Sequence, residues 1–221
     1  MSDATPLFEA IRNGDVGSVR SLVAADALLA SAKNASGVSA VLFSVYTGRR
    51  EIRDFLLAHG ATLELHDAAA VGDLARLEQL VAANPALARS HSPDGFPAVA
   101  LASVFGHLEA ARYLAANGAD IHAVATNGSG YTALTGAVAS GHTAIVEWLL
   151  AQGADPNYRY AAGYSPLLTA AANGHLAIVE LLLTHGADTR AVTNEGKNAV
   201  FLASERKHSE VAALLQSQSA L

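Results

Sequence analysis

A glycine followed by a polar residue recurs along this chain at a nearly constant interval, and an internal period constrains a fold more tightly than any single motif. The pairs are Gly14-Asp15, Gly48-Arg49, Gly72-Asp73, Gly106-His107, Gly141-His142 and Gly174-His175, and the slot returns at Lys207-His208 with lysine in place of glycine. Successive spacings are 34, 24, 34, 35, 33 and 33 residues. A second marker follows twelve residues after each of the first six: Gly60, Gly118, Gly153 and Gly186, each before alanine, with Asp26 and Asn84 in the other two. That interval is the length of one short helix of about three turns. Ile145, Val146, Leu149 and Leu150, or Ile178, Val179, Leu182 and Leu183, would give such a helix one buried stripe. A glycine at its end suits a left-handed C-terminal cap.

Ahead of each turn lies another short apolar block, such as residues 98–104, 133–139 and 166–172. In Thr5-Pro6 and Ser165-Pro166 a hydroxyl that can cap exposed amides precedes a proline suited to a first helical position. Each unit therefore reads as helix, tight turn, helix and a loop rich in Gly, Asn and Asp. Alanines at the helix contacts allow close approach. The expected fold is an all-α solenoid of about seven helix-turn-helix units with hairpin fingers. It forms one domain over residues 1–221, with units near 5–33, 34–62, 63–91, 92–125, 126–160, 161–193 and 194–217.

These residues resemble the ankyrin repeat, whose pattern is T-P-L-H-x-A in a unit of a β-turn and two helices. Ser165-Pro166-Leu167-Leu168-Thr169-Ala170-Ala171, then Gly174-His175 and Gly186-Ala187-Asp188, is similar to a nearly complete unit. Thr132-Ala133-Leu134-Thr135 with Gly141-His142 and Gly153-Ala154-Asp155 is close to another, and the likeness runs from Thr5 to about Leu215. The family's histidine, which usually bonds a neighbouring turn, survives only as His66; its slot elsewhere holds Phe8, Leu42, Ala100, Thr135, Leu168 and Val200 or its neighbour. The short interval between Gly48 and Gly72 predicts a third unit without a finger, leaving a notch between the second and fourth. Asp26-Ala27-Leu28-Leu29-Ala30 and Asn84-Pro85-Ala86-Leu87-Ala88 share an ending, so the first four units read as a duplicated pair. Such irregularity points to a natural protein, and the alanine-rich helices resemble small stand-alone bacterial members of the family.

Composition excludes several function classes. Half the residues are apolar and only 15% charged, which argues against disorder. The net charge of −6, with scattered basic residues, argues against nucleic acid. The chain has no cysteine, so disulfides, thiolate zinc sites and cysteine nucleophiles are absent. No run of eighteen apolar residues and no signal peptide is evident, so the expectation is a cytoplasmic protein away from membranes, and polar ends argue for a monomer.

Site chemistry finds little support. His107, His142, His175 and His208 occupy one slot in consecutive units. Stacked units lie roughly 10 Å apart, as packed helices do, whereas zinc gathers its ligands within about 2.3 Å, so each histidine is expected to tether its turn. Asp120, Asp155 and Asp188 are expected to bond loop amides, because no unit clusters the oxygens calcium needs. Asn127-Gly128-Ser129-Gly130 lacks phosphate-loop spacing and reads as a turn. The expectation is no catalytic residue, no metal and no cofactor.

A solenoid offers one long curved surface, and ankyrin proteins bind partners mainly with finger tips and the exposed face of the first helices. By slot, that surface should present Tyr46, Phe96, Phe105, Tyr131 and Tyr164 to solvent, with Tyr158, Arg159 and Tyr160 in the adjoining finger. Aromatics and arginine dominate binding hot spots. The leading expectation is therefore a non-catalytic module for a protein or peptide partner. The alternative is a small molecule or carbohydrate on the same aromatic surface, with an enzyme third.

Overall fold

The computed structural model describes residues 3–218, and within them the helices are short because the sequence stops each one after seven to ten residues. Fourteen α-helices fall into seven pairs among the described residues. These are α1 (Thr5–Asn13) with α2 (Val16–Ala25), α3 (Ala40–Tyr46) with α4 (Arg50–Ala58), and α5 (Leu65–Val71) with α6 (Leu74–Ala83). They continue as α7 (Ala98–Val104) with α8 (Leu108–Ala116), α9 (Ala133–Ser140) with α10 (Thr143–Ala151), α11 (Pro166–Asn173) with α12 (Leu176–Thr184), and α13 (Ala199–Glu205) with α14 (Ser209–Gln218). None is long and apolar enough to cross a membrane. The only extended pairing among the described residues is three isolated antiparallel bridges, Lys33–Ser39, His91–Pro97 and Val192–Asn198, at the bases of fingers.

Caps explain where the helices begin. Ser39, Thr132, Ser165 and Asn198 accept the amides of Leu42, Thr135, Leu168 and Phe201. Asp15 and Asp73 do the same for Ser18 and Arg76 at the second helices. Thr5 departs from expectation: α1 starts at Thr5 with Ala4 as its cap, and Asp3 accepts the Thr5 amide instead. Asp26 and Asn84 end α2 and α6 in extended conformation, and their side chains accept the amides of Leu28 and Ala86. Each then opens a 3-10 turn, Ala27–Ser31 and Pro85–Arg89, so the repeated ending folds in the same way twice.

The first helices form a row in which each packs on the next, from α1 through α13. Buried alanines line these contacts, among them Ala40, Ala68, Ala102, Ala137, Ala171 and Ala203. The second helices supply larger side chains, including Val19, Leu56, Leu77, Leu114, Leu149 and Leu182, and one apolar cluster runs from Leu7 to Leu215.

Hydrogen bonds cross nearly every junction at one repeated place, the carbonyl two residues before the turn glycine. Arg49 donates to Arg12 O at 2.9 Å, Asn173 to Ala139 O at 3.1 Å, and Arg206 to Ala172 O at 3.2 Å. Nε2 of His107 and His142 lies 3.1 and 2.9 Å from the Ala70 and Val104 carbonyls. A carbonyl only accepts, so that nitrogen carries the proton. The rings of His107, His142, His175 and His208 also lie over Gly72, Gly106, Gly141 and Gly174, where an added methyl group would come within 3.0 Å of ring atoms. Two members of the histidine row, His107 and His142, are thus tethers, while at the next two junctions Asn173 and Arg206 donate instead and the His175 and His208 rings pack over the turn glycine. The loop aspartates also behave as expected, with Asp120, Asp155 and Asp188 accepting the amides of His122, Asn157 and Arg190.

One junction is built differently. Between α4 and α5 the chain has only residues 59–64, against residues 26–39 between α2 and α3. Asp73 occupies the donor position there, where a carboxylate cannot donate, and nothing covers Gly48. Asp67, 3% exposed, takes over: it accepts the Ser39 hydroxyl from the preceding finger and the Glu64 amide at the start of its own helix. The expected notch is closed as well. Gly37, at the second finger's tip, lies so close to Pro93 of the next finger that a methyl group on it would sit 3.1 Å from the proline Cβ. Two fingers converge over a helix that has none.

Gly141 combines a left-handed φ of 79° with the crowding of the His175 ring, whereas Lys207 holds φ 65° in the same slot although its Cβ disfavours it. Gly141→Ala should lose about 2 kcal/mol or more, and Lys207→Gly should gain up to about 1 kcal/mol, both read from urea unfolding midpoints. Burial holds His66 and His107 below their ordinary value of 6.5. Stability present above that pH should fall as acidification protonates the unfolded chain first. Unfolding curves from pH 7.5 to 5 should show this slope, flattened in a His66→Asn/His107→Asn variant.

Candidate binding groove

Four of the eight aromatic and arginine positions come together in one groove of about 330 Å³. Tyr46 reaches it from the end of α3, Phe105 from just beyond α7, and Phe96 and Tyr131 from two fingers. Leu101 and Val104 of α7 and Gly136, Ala139 and Ser140 of α9 line the remainder, and Asp94 is the only charged residue among the lining residues. The groove is partly open to solvent and mostly apolar.

Tyr46, in the second unit, meets two rings of the fourth. Its ring lies 6.0 Å from Phe105 in a stacked arrangement and 6.3 Å from Phe96 edge-on, both within the range of favourable aromatic pairs. Gly136 adds to the close fit: it sits inside a helix where alanine would be favoured, and a methyl group there would strike Val104 Cγ2. Asp94, Leu101 and Gly136 are the lining residues that slot-by-slot reading passed over. A glycine in the middle of a short helix, and a carboxylate between a turn proline and its glycine, were the signals available.

The predicted rings do not stand out in solvent. Tyr46, Phe96, Phe105, Tyr131, Tyr158, Tyr160 and Tyr164 are all half-buried, and only Arg159 is exposed. The residue after each finger glycine turns inward because the finger folds back over the first helices, and Val38 in the same slot is 4% exposed. Tyr160 lies 5.5 Å from Tyr131, and its hydroxyl is hydrogen-bonded to Thr169. Burial pushes that phenol up to about 12. Tyr164 packs against the core. Tyr158 lines a separate small hollow with Ile121, His122 and Leu134, and the Arg159 guanidinium donates to the Val192 carbonyl. Tyr160 therefore supports the groove from behind, and Tyr158 and Arg159 lie outside it.

The Tyr46 hydroxyl is buried without a hydrogen-bond partner of proper geometry. Burial, and after it the nearby Asp94 carboxylate, pushes its phenol well above the ordinary range. Among the described residues no group of three or more histidines and carboxylates is placed to hold a metal ion.

Stacked helix pairs, left-handed turn glycines and fingers bonded at their bases define a helical-repeat solenoid with its groove between fingers and first helices. The sequence places it in a family. A family model described as ankyrin repeats (3 copies) matches residues 65–160 and 159–220, and the chain belongs to the ankyrin-repeat family. Helices α1 to α4, ahead of the matched segments, continue the same stack. No curated protein matches the chain.

Because the Tyr46 hydroxyl lacks a partner while its ring supports two others, Tyr46→Phe should leave stability unchanged or raise it by up to about 1 kcal/mol. Tyr46→Ala should cost about 3 kcal/mol or more. Thermal and urea unfolding of both variants check this.

Proposed function

We propose that this chain is a non-catalytic module, one domain of seven repeats acting as a monomer, that docks a protein or peptide partner along the groove formed by Tyr46, Phe96, Phe105 and Tyr131. Ankyrin repeats serve generally as protein-interaction modules. The observation that carries the reading here is the clustering of half-buried aromatic rings around an open, apolar groove. Rings already held by neighbours lose little freedom on binding, so the area they offer converts efficiently into affinity. A small molecule or sugar is favoured by an enclosed pocket, whereas this groove is partly open to solvent and can admit an extended segment.

A random peptide library displayed on phage, selected against the wild-type protein, tests the reading. Enriched peptides should lose about tenfold or more in affinity to a Phe105→Ala/Tyr131→Ala variant that keeps its helical circular dichroism. Peptides that bind wild type and variant equally would place the site elsewhere.

A further inference from the structure

The groove has one charged residue that a purely apolar partner would leave uncompensated. Asp94 is half-buried at its edge, in the finger turn beside Phe96. The Ser92 hydroxyl donates to its Oδ1 at 2.6 Å, and no arginine or lysine lies within ion-pair distance of it among the described residues. Aromatic faces and an unpaired carboxylate in one apolar groove are complementary to a cation, since ring quadrupoles and the carboxylate attract the same charge.

We infer that the groove takes an arginine side chain of the docked peptide, its guanidinium lying against the aromatic rings and donating to the Asp94 carboxylate. This rests on the groove being a peptide site. Three arguments select arginine among cations. Its weak hydration makes entry into an apolar groove less costly than for lysine's ammonium. Its flat, delocalised charge stacks on rings, and its fork of N–H donors matches a carboxylate. A quaternary ammonium would satisfy the rings but has no N–H to give Asp94.

The best enriched peptide and its single-residue variants provide the test. Enriched sequences should share an arginine, and replacing it by lysine or trimethyllysine should weaken binding by about tenfold. Asp94→Asn, which keeps an oxygen for the Ser92 hydroxyl, should weaken the arginine peptide by about tenfold and leave its Arg→Ala version unchanged. Peptides that depend on Phe105 and Tyr131 but share no arginine overturn the inference and leave the groove reading intact. So does an arginine peptide indifferent to Asp94→Asn, or a trimethyllysine peptide that binds more tightly. A selection that enriches nothing, or peptides insensitive to the Phe105→Ala/Tyr131→Ala variant, overturns both.

Discussion

Every helix in this protein is too short to persist by itself, since isolated helices below roughly twelve residues are marginal in water. The structure therefore depends on contacts between units, and the repeated one is the bond to the carbonyl two residues before each turn glycine. That carbonyl lies in the last turn of its helix, where no intrahelical partner exists. A donor from the next unit satisfies it and fixes the stacking register at the same time. Arg49, His107, His142, Asn173 and Arg206 all do this with different chemistry. The requirement is a donor at that place, and histidine is one solution among several.

The junction lacking that donor shows how the stack tolerates an exception. Asp67 replaces the missing tether with a bond to Ser39, at the cost of burying a carboxylate, which raises its pKa through desolvation. The same junction carries no finger, so neighbouring fingers converge and Tyr46 spans two units.

Much of the fold was legible because repetition reports the same local chemistry many times. Turn glycines, capping residues and apolar stripes each follow from sequence-local physics, and the loop aspartates behaved as their slot implied. Thr5 was misread because Asp3 competes for the same amide. The site was legible only in part. The aromatic slots were visible, but their inward orientation, the separation of Tyr158 and Arg159, and the inclusion of Asp94 depend on how fingers lean, which slot arithmetic does not encode.

The sequence by itself determined the solenoid, its seven helix pairs and the absence of a finger at the third, since period and turn chemistry act over a few residues at a time. The tertiary structure alone decided that the neighbouring fingers close the gap and that rings from the second, fourth and fifth units share one groove. The contacts of Tyr46 with Phe96 and Phe105 join residues fifty or more positions apart in sequence, a long-range packing outcome that no local signal records.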